Sequence, residues 1–187
     1  MTSTMRTSAI LVLAALLLPA AAFAEEERSA IPWWFTLEAG GMFPSGQQGA
    51  GLETGSQFVG TVGYELSSTF VLGGDLGYVA STDLLRTRIV LLGAHVRMNP
   101  SADLPTVYVQ GGGGLYHVSP HPRNPDPSAP PIKVRPGLTF GVGYDIASFS
   151  KLTVGVVGTY HGIVIARSDA LSYLGVGAYL SLRPGAW

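Results

Sequence analysis

The sequence predicts an all-β protein, an eight-stranded antiparallel up-and-down transmembrane β-barrel preceded by a cleaved signal peptide. The chain contains 47% hydrophobic but only 12% charged residues, whereas a soluble domain carries about 25% charged residues. After residue 24 it contains no apolar run long enough for a membrane-spanning helix. Its apolar residues instead alternate with polar residues and glycine, which is the period of a β-strand.

The first residues have the features of a signal peptide. Arg6 provides a positive charge, residues 9–18 are apolar, and Ala22-Phe23-Ala24 forms a small-x-small cleavage site. The apolar stretch is shorter than the roughly 20 residues that a transmembrane helix needs. We therefore predict a signal peptide over residues 1–24 and one outer-membrane β-barrel domain over residues 25–187.

Eight segments of the predicted domain alternate with a period of two and are separated by turn-like stretches. In chain order, the predicted strands are Trp34–Phe43, Gln57–Leu66, Thr69–Ala80, Thr87–Met98, Thr106–Tyr116, Gly137–Ile146, Leu152–His161 and Leu171–Arg183. Between them, short turns are expected at one end of the barrel and longer loops at the other, as in outer-membrane barrels. Trp33 and Trp34 are expected to join an aromatic girdle at the membrane interface.

The two faces of these segments differ in polarity. One face, which includes Phe58, Leu72 and Phe140, has no charged residue, and the other collects polar residues and glycines. A soluble barrel would bury the apolar face and show water a surface of glycine with few charges, which is a poor soluble surface. In a membrane the arrangement fits, because a charge on the lipid face costs about 2–4 kcal/mol at the midplane. We therefore predict that the uncharged face contacts hydrocarbon.

Several segments resemble small outer-membrane β-barrel proteins. Pro105–Tyr116 is similar to a glycine-aromatic strand of that group, and Gly141–Asp145 with Leu152–His161 resembles the hairpin that follows it. The resemblance covers nearly all of the predicted mature chain and points to the OmpA-type transmembrane domain and to OmpW-like barrels. Gly177–Leu182 resembles the signal read by the outer-membrane assembly machinery, although Val176 replaces its usual polar residue. We expect a monomer whose partners are outer-membrane lipids, lipopolysaccharide and the outer-membrane assembly machinery.

Six charged residues are predicted to face the barrel lumen: Glu38, Glu65, Asp75, Arg97, Asp145 and Arg183. Four of these lie near the periplasmic strand ends and are expected to pair and plug the lumen, because a narrow interior cannot hold unpaired charges cheaply. The alternative is a gated pore. Glu38 and Asp75 lie nearer mid-height, where either is protonated, bridged by water or paired with His95.

Lipid A deacylases are an enzyme alternative, because they also form eight-stranded barrels of this size with a histidine near the outer end. In those enzymes a serine follows the histidine by two residues. Here His161 is followed by Gly162, Ile163 and Val164, so the nucleophile is missing, and Ser168 lies at the wrong spacing. A serine nucleophile needs a histidine within hydrogen-bond reach. We therefore predict that the protein is not an enzyme.

No cofactor, metal or nucleic acid is predicted. The chain has no cysteine, and its formal net charge of −1 gives no hint of nucleic-acid binding. His117 and His121 are four residues apart, but the prolines at 120 and 122 exclude a helix that would put both on one face. Gly111–Gly114 is followed by neither a helix nor a Lys-Ser/Thr pair, so it does not form a phosphate-binding loop.

Basic residues are predicted at the outer rim of the barrel: Arg86, Arg88, Arg123, Lys133, Arg135 and Arg167. They are either solvated loop charges or contacts to lipopolysaccharide phosphates, whose geometry suits the arginine fork. The predicted function is a structural or surface-interaction component of a Gram-negative outer membrane. A narrow OmpW-like channel for small or hydrophobic solutes is the second hypothesis, and a lipid A-modifying enzyme is the third.

Overall fold

The computed structural model describes residues 32–45, 53–67, 69–82, 87–99, 106–119, 133–149, 151–164 and 170–184. Within these ranges the regular elements are eight strands: β1 (Trp33–Ser45), β2 (Gly55–Glu65), β3 (Phe70–Ser81), β4 (Arg88–Met98), β5 (Val107–Ser119), β6 (Lys133–Phe149), β7 (Leu152–Val164) and β8 (Ala170–Leu182). No helix among the described residues is long and apolar enough to cross a membrane. The predicted signal peptide lies outside the described residues.

The eight strands form a closed barrel. Each strand pairs antiparallel with its neighbour in the chain, and β8 pairs with β1. The closing register places Glu38 opposite Tyr179 and Phe35 opposite Leu182. Closure leaves no strand edge without a hydrogen-bonding partner, which is the condition for a sheet in hydrocarbon. The predicted fold class is confirmed.

The connections are shorter on average at one end of the barrel than at the other, although the connection at residues 99–106 is longer than the one at residues 82–87. The short-turn end has the connections at residues 66–69, 99–106 and 150–151, and Glu65 and Arg97 lie near it. The long-loop end has the connections at residues 46–54, 82–87, 120–132 and 165–169, and Ile89 and Ile163 lie near it. Short periplasmic turns and longer extracellular loops are typical of outer-membrane barrels.

Strand β6 is longer than predicted. It runs from Lys133 to Phe149, whereas the sequence predicts Gly137–Ile146, because Pro136 favours a loop. In the structure, pairing with β7 begins at Gly137 opposite Ile163, so Pro136 lies beyond that ladder and pairs only with β5. A proline is tolerated where one side of a strand is unpaired.

The outward face of the barrel is apolar and exposed. Leu37 is 70% exposed, Phe58 56%, Leu138 59% and Val142 58%. Monomeric soluble proteins rarely expose continuous apolar surface of this kind. Hydrocarbon is the medium that such a belt requires.

The inward face is crowded, and glycines make room for its large side chains. A Cβ atom at Gly143 would collide with the Tyr108 ring, and one at Gly63 would collide with the Trp34 ring. In both cases the glycine and the aromatic residue are direct cross-strand partners. The large side chain therefore lies flat over the neighbouring backbone, as a narrow lumen demands.

The two tryptophans at the start of β1 have different surroundings. Trp33 is 48% exposed and contacts Tyr64 edge-on on the outward face. Trp34 is 3% exposed and lies in the lumen. The prediction that both belong to an aromatic girdle is therefore wrong for Trp34, because consecutive residues of a strand point to opposite faces.

Candidate functional site: the barrel interior

A buried arginine occupies the lumen near the short-turn end. The Cζ atom of Arg97 is 3.6 Å from the ring centre of Tyr108 and 5.5 Å from that of Trp34. Its Nη2 donates to Asp145 at 3.3 Å, and the Tyr179 hydroxyl donates to the same carboxylate. We call these five residues the arginine cluster. Arg97 is only 4% exposed, and a buried charge of this kind needs such paired and aromatic neighbours.

A second ion pair lies closer to the mouth of the short-turn end. Arg183 Nε is 3.4 Å from Glu65 Oε1, and the two side chains are 43% and 26% exposed. The four charged residues predicted near this end thus form two separate pairs. Because the outer pair is partly solvated, its attraction is much weaker than that of a buried pair.

The two acidic residues at mid-height have different partners. Asp75 accepts a hydrogen bond from Thr61 at 2.7 Å, and its Oδ2 is 2.7 Å from His95 Nδ1. Glu38 accepts a hydrogen bond from Gln57 Nε2 at 2.6 Å. The sequence left the partners of both acids open, and the structure pairs Asp75 with His95.

A small polar cavity lies beside these acids. Its volume is about 40 Å³, and its lining includes Glu38, Asp75, His95, Thr159 and His161. Among the described residues, His95 Nε2, Thr159 Oγ1 and His161 Nε2 have no hydrogen-bond partner. The volume and the polar lining suit a few water molecules, which need about two to four polar partners each.

The lumen at the long-loop end contains an apolar core. Its buried members are Met42, Val79, Ile89, Leu91, Tyr116, Ile163, Leu171 and Tyr173. Tyr116, Met42 and Ile163 have no exposed surface. The expected polar lumen therefore describes the short-turn half of the barrel. The apolar half was missed, although these residues occupy inward positions of the alternating pattern.

His161 lies between this apolar core and the polar cavity. Its Nδ1 is 3.0 Å from the Tyr116 hydroxyl, and its ring stacks on Tyr173 with centroids 4.4 Å apart. It is 3% exposed. Ser168, the serine considered in the deacylase comparison, lies outside the described residues.

The histidines do not form a metal cluster within the described part of the chain. No group of three or more histidine, cysteine, aspartate or glutamate residues there could hold a metal ion. His117 belongs to strand β5, one residue beyond the predicted end of that strand at Tyr116, and pairs with Val134. His121 lies outside the described residues.

The basic residues predicted at the outer rim are placed differently from one another. Arg88 is exposed on the outward face at the first residue of β4, so the prediction that this face carries no charge is wrong at this position. Arg135 pairs with the inward-facing Tyr116, and its Nε is buried. Arg135 therefore belongs to the inward face, and this position does not suit the predicted contact with lipopolysaccharide. Lys133 begins β6, and its side chain is outside the described part. Arg86, Arg123 and Arg167 are outside it altogether.

The comparisons with known proteins find likeness in solved structures. The crystal structure of Neisserial surface protein A has a TM-score of 0.61 at 13% identity, covering 81% of this chain and 96% of that chain. The N-terminal β-barrel domain of Pseudomonas aeruginosa OprF has a TM-score of 0.54 at 16% identity, covering 80% and 97%. The chain has the fold of these small outer-membrane barrels.

A third structure agrees. The outer membrane protein OprG from Pseudomonas aeruginosa has a TM-score of 0.51 at 10% identity, covering 82% of this chain and 97% of that chain. No family model and no curated protein matches the sequence. At these identities the likeness concerns the fold, and it confirms the predicted resemblance to small eight-stranded outer-membrane barrels.

Proposed function

We propose that the protein is an integral outer-membrane β-barrel of a Gram-negative bacterium that serves as a structural or surface-interaction component. The apolar outward belt and the likeness to small outer-membrane barrels support this location. As in other outer-membrane barrels, the long-loop end would face the cell exterior and the short-turn end the periplasm. The expected partners are the outer-membrane assembly machinery, outer-membrane lipids and lipopolysaccharide, and the expected state is a monomer.

We propose further that the lumen is plugged. The observation that carries this proposal is the burial of side chains at two levels of the barrel. Near the short-turn end Arg97 is 4% exposed within the arginine cluster, and near the long-loop end Tyr116 and Tyr173 are 0% and 1% exposed. Between the two levels the cavity measures about 40 Å³, which is room for a few water molecules.

Conductance of the purified barrel in planar lipid bilayers tests the plug. We expect the wild-type protein to give no steady ionic current. The substitutions Tyr116→Ala and Tyr173→Ala remove two large side chains from the long-loop end. Combined with Arg97→Ala, which removes the buried arginine near the short-turn end, they give a triple variant that is the opened control. Steady wild-type current equal to that of the opened control would contradict the plug and favour the narrow channel.

We also propose that the barrel has no enzymatic activity. The burial of His161 and its contacts with Tyr116 and Tyr173 support a structural role for this histidine. Overexpression of the protein should therefore leave the acylation of lipid A unchanged, as measured by mass spectrometry. A lipid A species that lacks one acyl chain, and that disappears with His161→Phe, would contradict this proposal.

A further inference from the structure

One charged residue lies on the outward face of the strands. Of all the outward strand positions that the structure describes, Arg88 alone carries a formal charge. It is the first residue of β4, at the long-loop end, and its side chain is exposed. His117 pairs directly with Val90, the next outward residue of β4. A lipid-facing charge is strongly unfavourable at the midplane and tolerated only near an interface.

An outward groove reaches β4 at Val90, two residues from Arg88 along the strand. It has a volume of about 770 Å³, and Val90 forms part of its lining. Its floor consists of small residues on three adjacent strands, Ala178, Ala39 and Gly60. Ala178 pairs with Ala39, and Gly60 pairs with Leu37. Larger outward side chains border this floor: Leu37, Phe58 and Leu76. We call this depression the outer groove.

We propose that Arg88 and the outer groove together bind one phosphorylated, acylated glucosamine lipid, the lipid A part of lipopolysaccharide. The proposal rests on the proposed outer-membrane location. The groove takes acyl chain, since its lining is almost wholly apolar and its volume lies in the range of about 300–1,000 Å³ typical of ligand sites. The guanidinium of Arg88 pairs with a lipid phosphate, whose oxygens match its fork of donors.

Charge complementarity selects this occupant. An uncharged acyl chain or a second copy of the apolar wall would leave Arg88 without a counter-charge at the membrane interface, whereas a lipid phosphate supplies one. No ion pair within the described residues involves Arg88. Its place at the long-loop end puts it in the outer leaflet, where lipid A phosphates lie. His117, the cross-strand partner of Val90, adds a second hydrogen-bond donor near the same end of the barrel.

The test is native mass spectrometry of the folded barrel in detergent with purified bis-phosphorylated lipid A. Arg88→Gln removes the charge and Ala39→Leu fills the groove floor. Ala94→Leu makes the same change at an exposed outward position of β4 that does not line the groove, and it is the matched control. We expect Arg88→Gln to weaken retention of the lipid about tenfold, as for a lost charge-assisted contact. Ala39→Leu should weaken it comparably, and Ala94→Leu should leave it unchanged.

Two further lipids show whether the phosphate and the acylated body of lipid A both contribute to binding. Dephosphorylated lipid A should bind the wild-type barrel as weakly as bis-phosphorylated lipid A binds Arg88→Gln. Phosphatidylglycerol, which has a phosphate but a smaller acylated body, should bind at least about tenfold more weakly than lipid A. Equal binding of phosphatidylglycerol, or equal retention by Arg88→Gln and wild type, would overturn the site and leave Arg88 as a solvated rim charge.

Insertion into lipid vesicles separates this proposal from the one on which it rests. If every variant inserts with equal yield, and Arg88→Gln retains lipid A as well as the wild-type protein does, the lipid site alone is overturned. If the wild-type chain fails to insert, the outer-membrane proposal is overturned with it.

Discussion

At the residue scale, Arg97 is the charge whose surroundings are most demanding. It is 4% exposed, lies between two aromatic rings and has Asp145 as its acidic partner. Arg183 has an acidic partner as well, but its side chain is 43% exposed. Because solvent screens the second pair, the two pairs should contribute very differently to stability.

This difference can be measured with two isosteric substitutions. Asp145→Asn leaves an acceptor for the Tyr179 hydroxyl but removes the counter-charge of a buried arginine. We therefore expect the free energy of unfolding to fall by roughly 3 kcal/mol or more. Glu65→Gln removes the partner of Arg183 and should cost about 1 kcal/mol or less. Urea unfolding of the barrel in lipid vesicles gives both values. Equal losses would contradict the assignment of the buried pair as the stabilising one.

The partners of Arg97 could not be read from the sequence. Alternation places Arg97 and Asp145 on the inward face, and both were predicted there. They lie on β4 and β6, with β5 between them, so their contact bridges an intervening strand and does not follow from strand pairing. Trp34 was misplaced for a different reason, since composition favours tryptophan at an interface while its register points it inward.

At the element scale, glycines on one strand hold the large side chains of the next. Four large inward residues each pair directly with a glycine on an adjacent strand: Trp34 with Gly63, His95 with Gly73, Tyr108 with Gly143 and Tyr179 with Gly155. In each case a Cβ atom on the glycine would collide with the ring. This complementarity helps to fix the register of neighbouring strands, because a shift would bring rings onto side chains.

Two glycine substitutions test this packing. Gly143→Ala places a methyl group against the Tyr108 ring, and overpacking of this kind costs about 1–3 kcal/mol. Gly158→Ala is the control, because a Cβ atom there meets nothing within 4 Å. We expect its free energy of unfolding to stay the same or rise by about 0.5 kcal/mol. The prediction fails if urea unfolding shows the two variants to be equally stable.

Strand β6 contains one extra residue relative to its neighbour β7. A β-bulge interrupts its pairing with β7 between Asp145 and Ala147. Ile146, between them, is 60% exposed on the outside. The bulge thus interrupts the ladder just after Asp145, whose carboxylate pairs with Arg97, and the pairing with β7 resumes at Ala147 opposite Val154. Bulges commonly re-aim a side chain or terminate pairing in this way, and the alternating sequence pattern gives no sign of one here.

At the scale of the whole molecule, the sequence predicts the barrel well because its physical cause is simple. Hydrocarbon on one side of every strand excludes charge from the outward positions, with Arg88 at the end of β4 as the exception among the described strands, and this constraint repeats in all eight strands. The filling of the lumen is less constrained. Polar and apolar side chains both fit an interior that is largely shielded from solvent, so the apolar core around Tyr116 and Ile163 could not be told from the period alone.

The central claim of this account is that hydrocarbon contacts the outward face. The chain has no cysteine, so a single nitroxide label can be placed at Leu138→Cys, an outward position that is 59% exposed in the structure. Ser148→Cys, an exposed position near the short-turn end, is the water-accessible control. In lipid vesicles, electron paramagnetic resonance should find the label at 138 far more accessible to oxygen than to a water-soluble nickel complex, with the reverse at 148. Greater accessibility of the nickel complex at 138 would contradict the account.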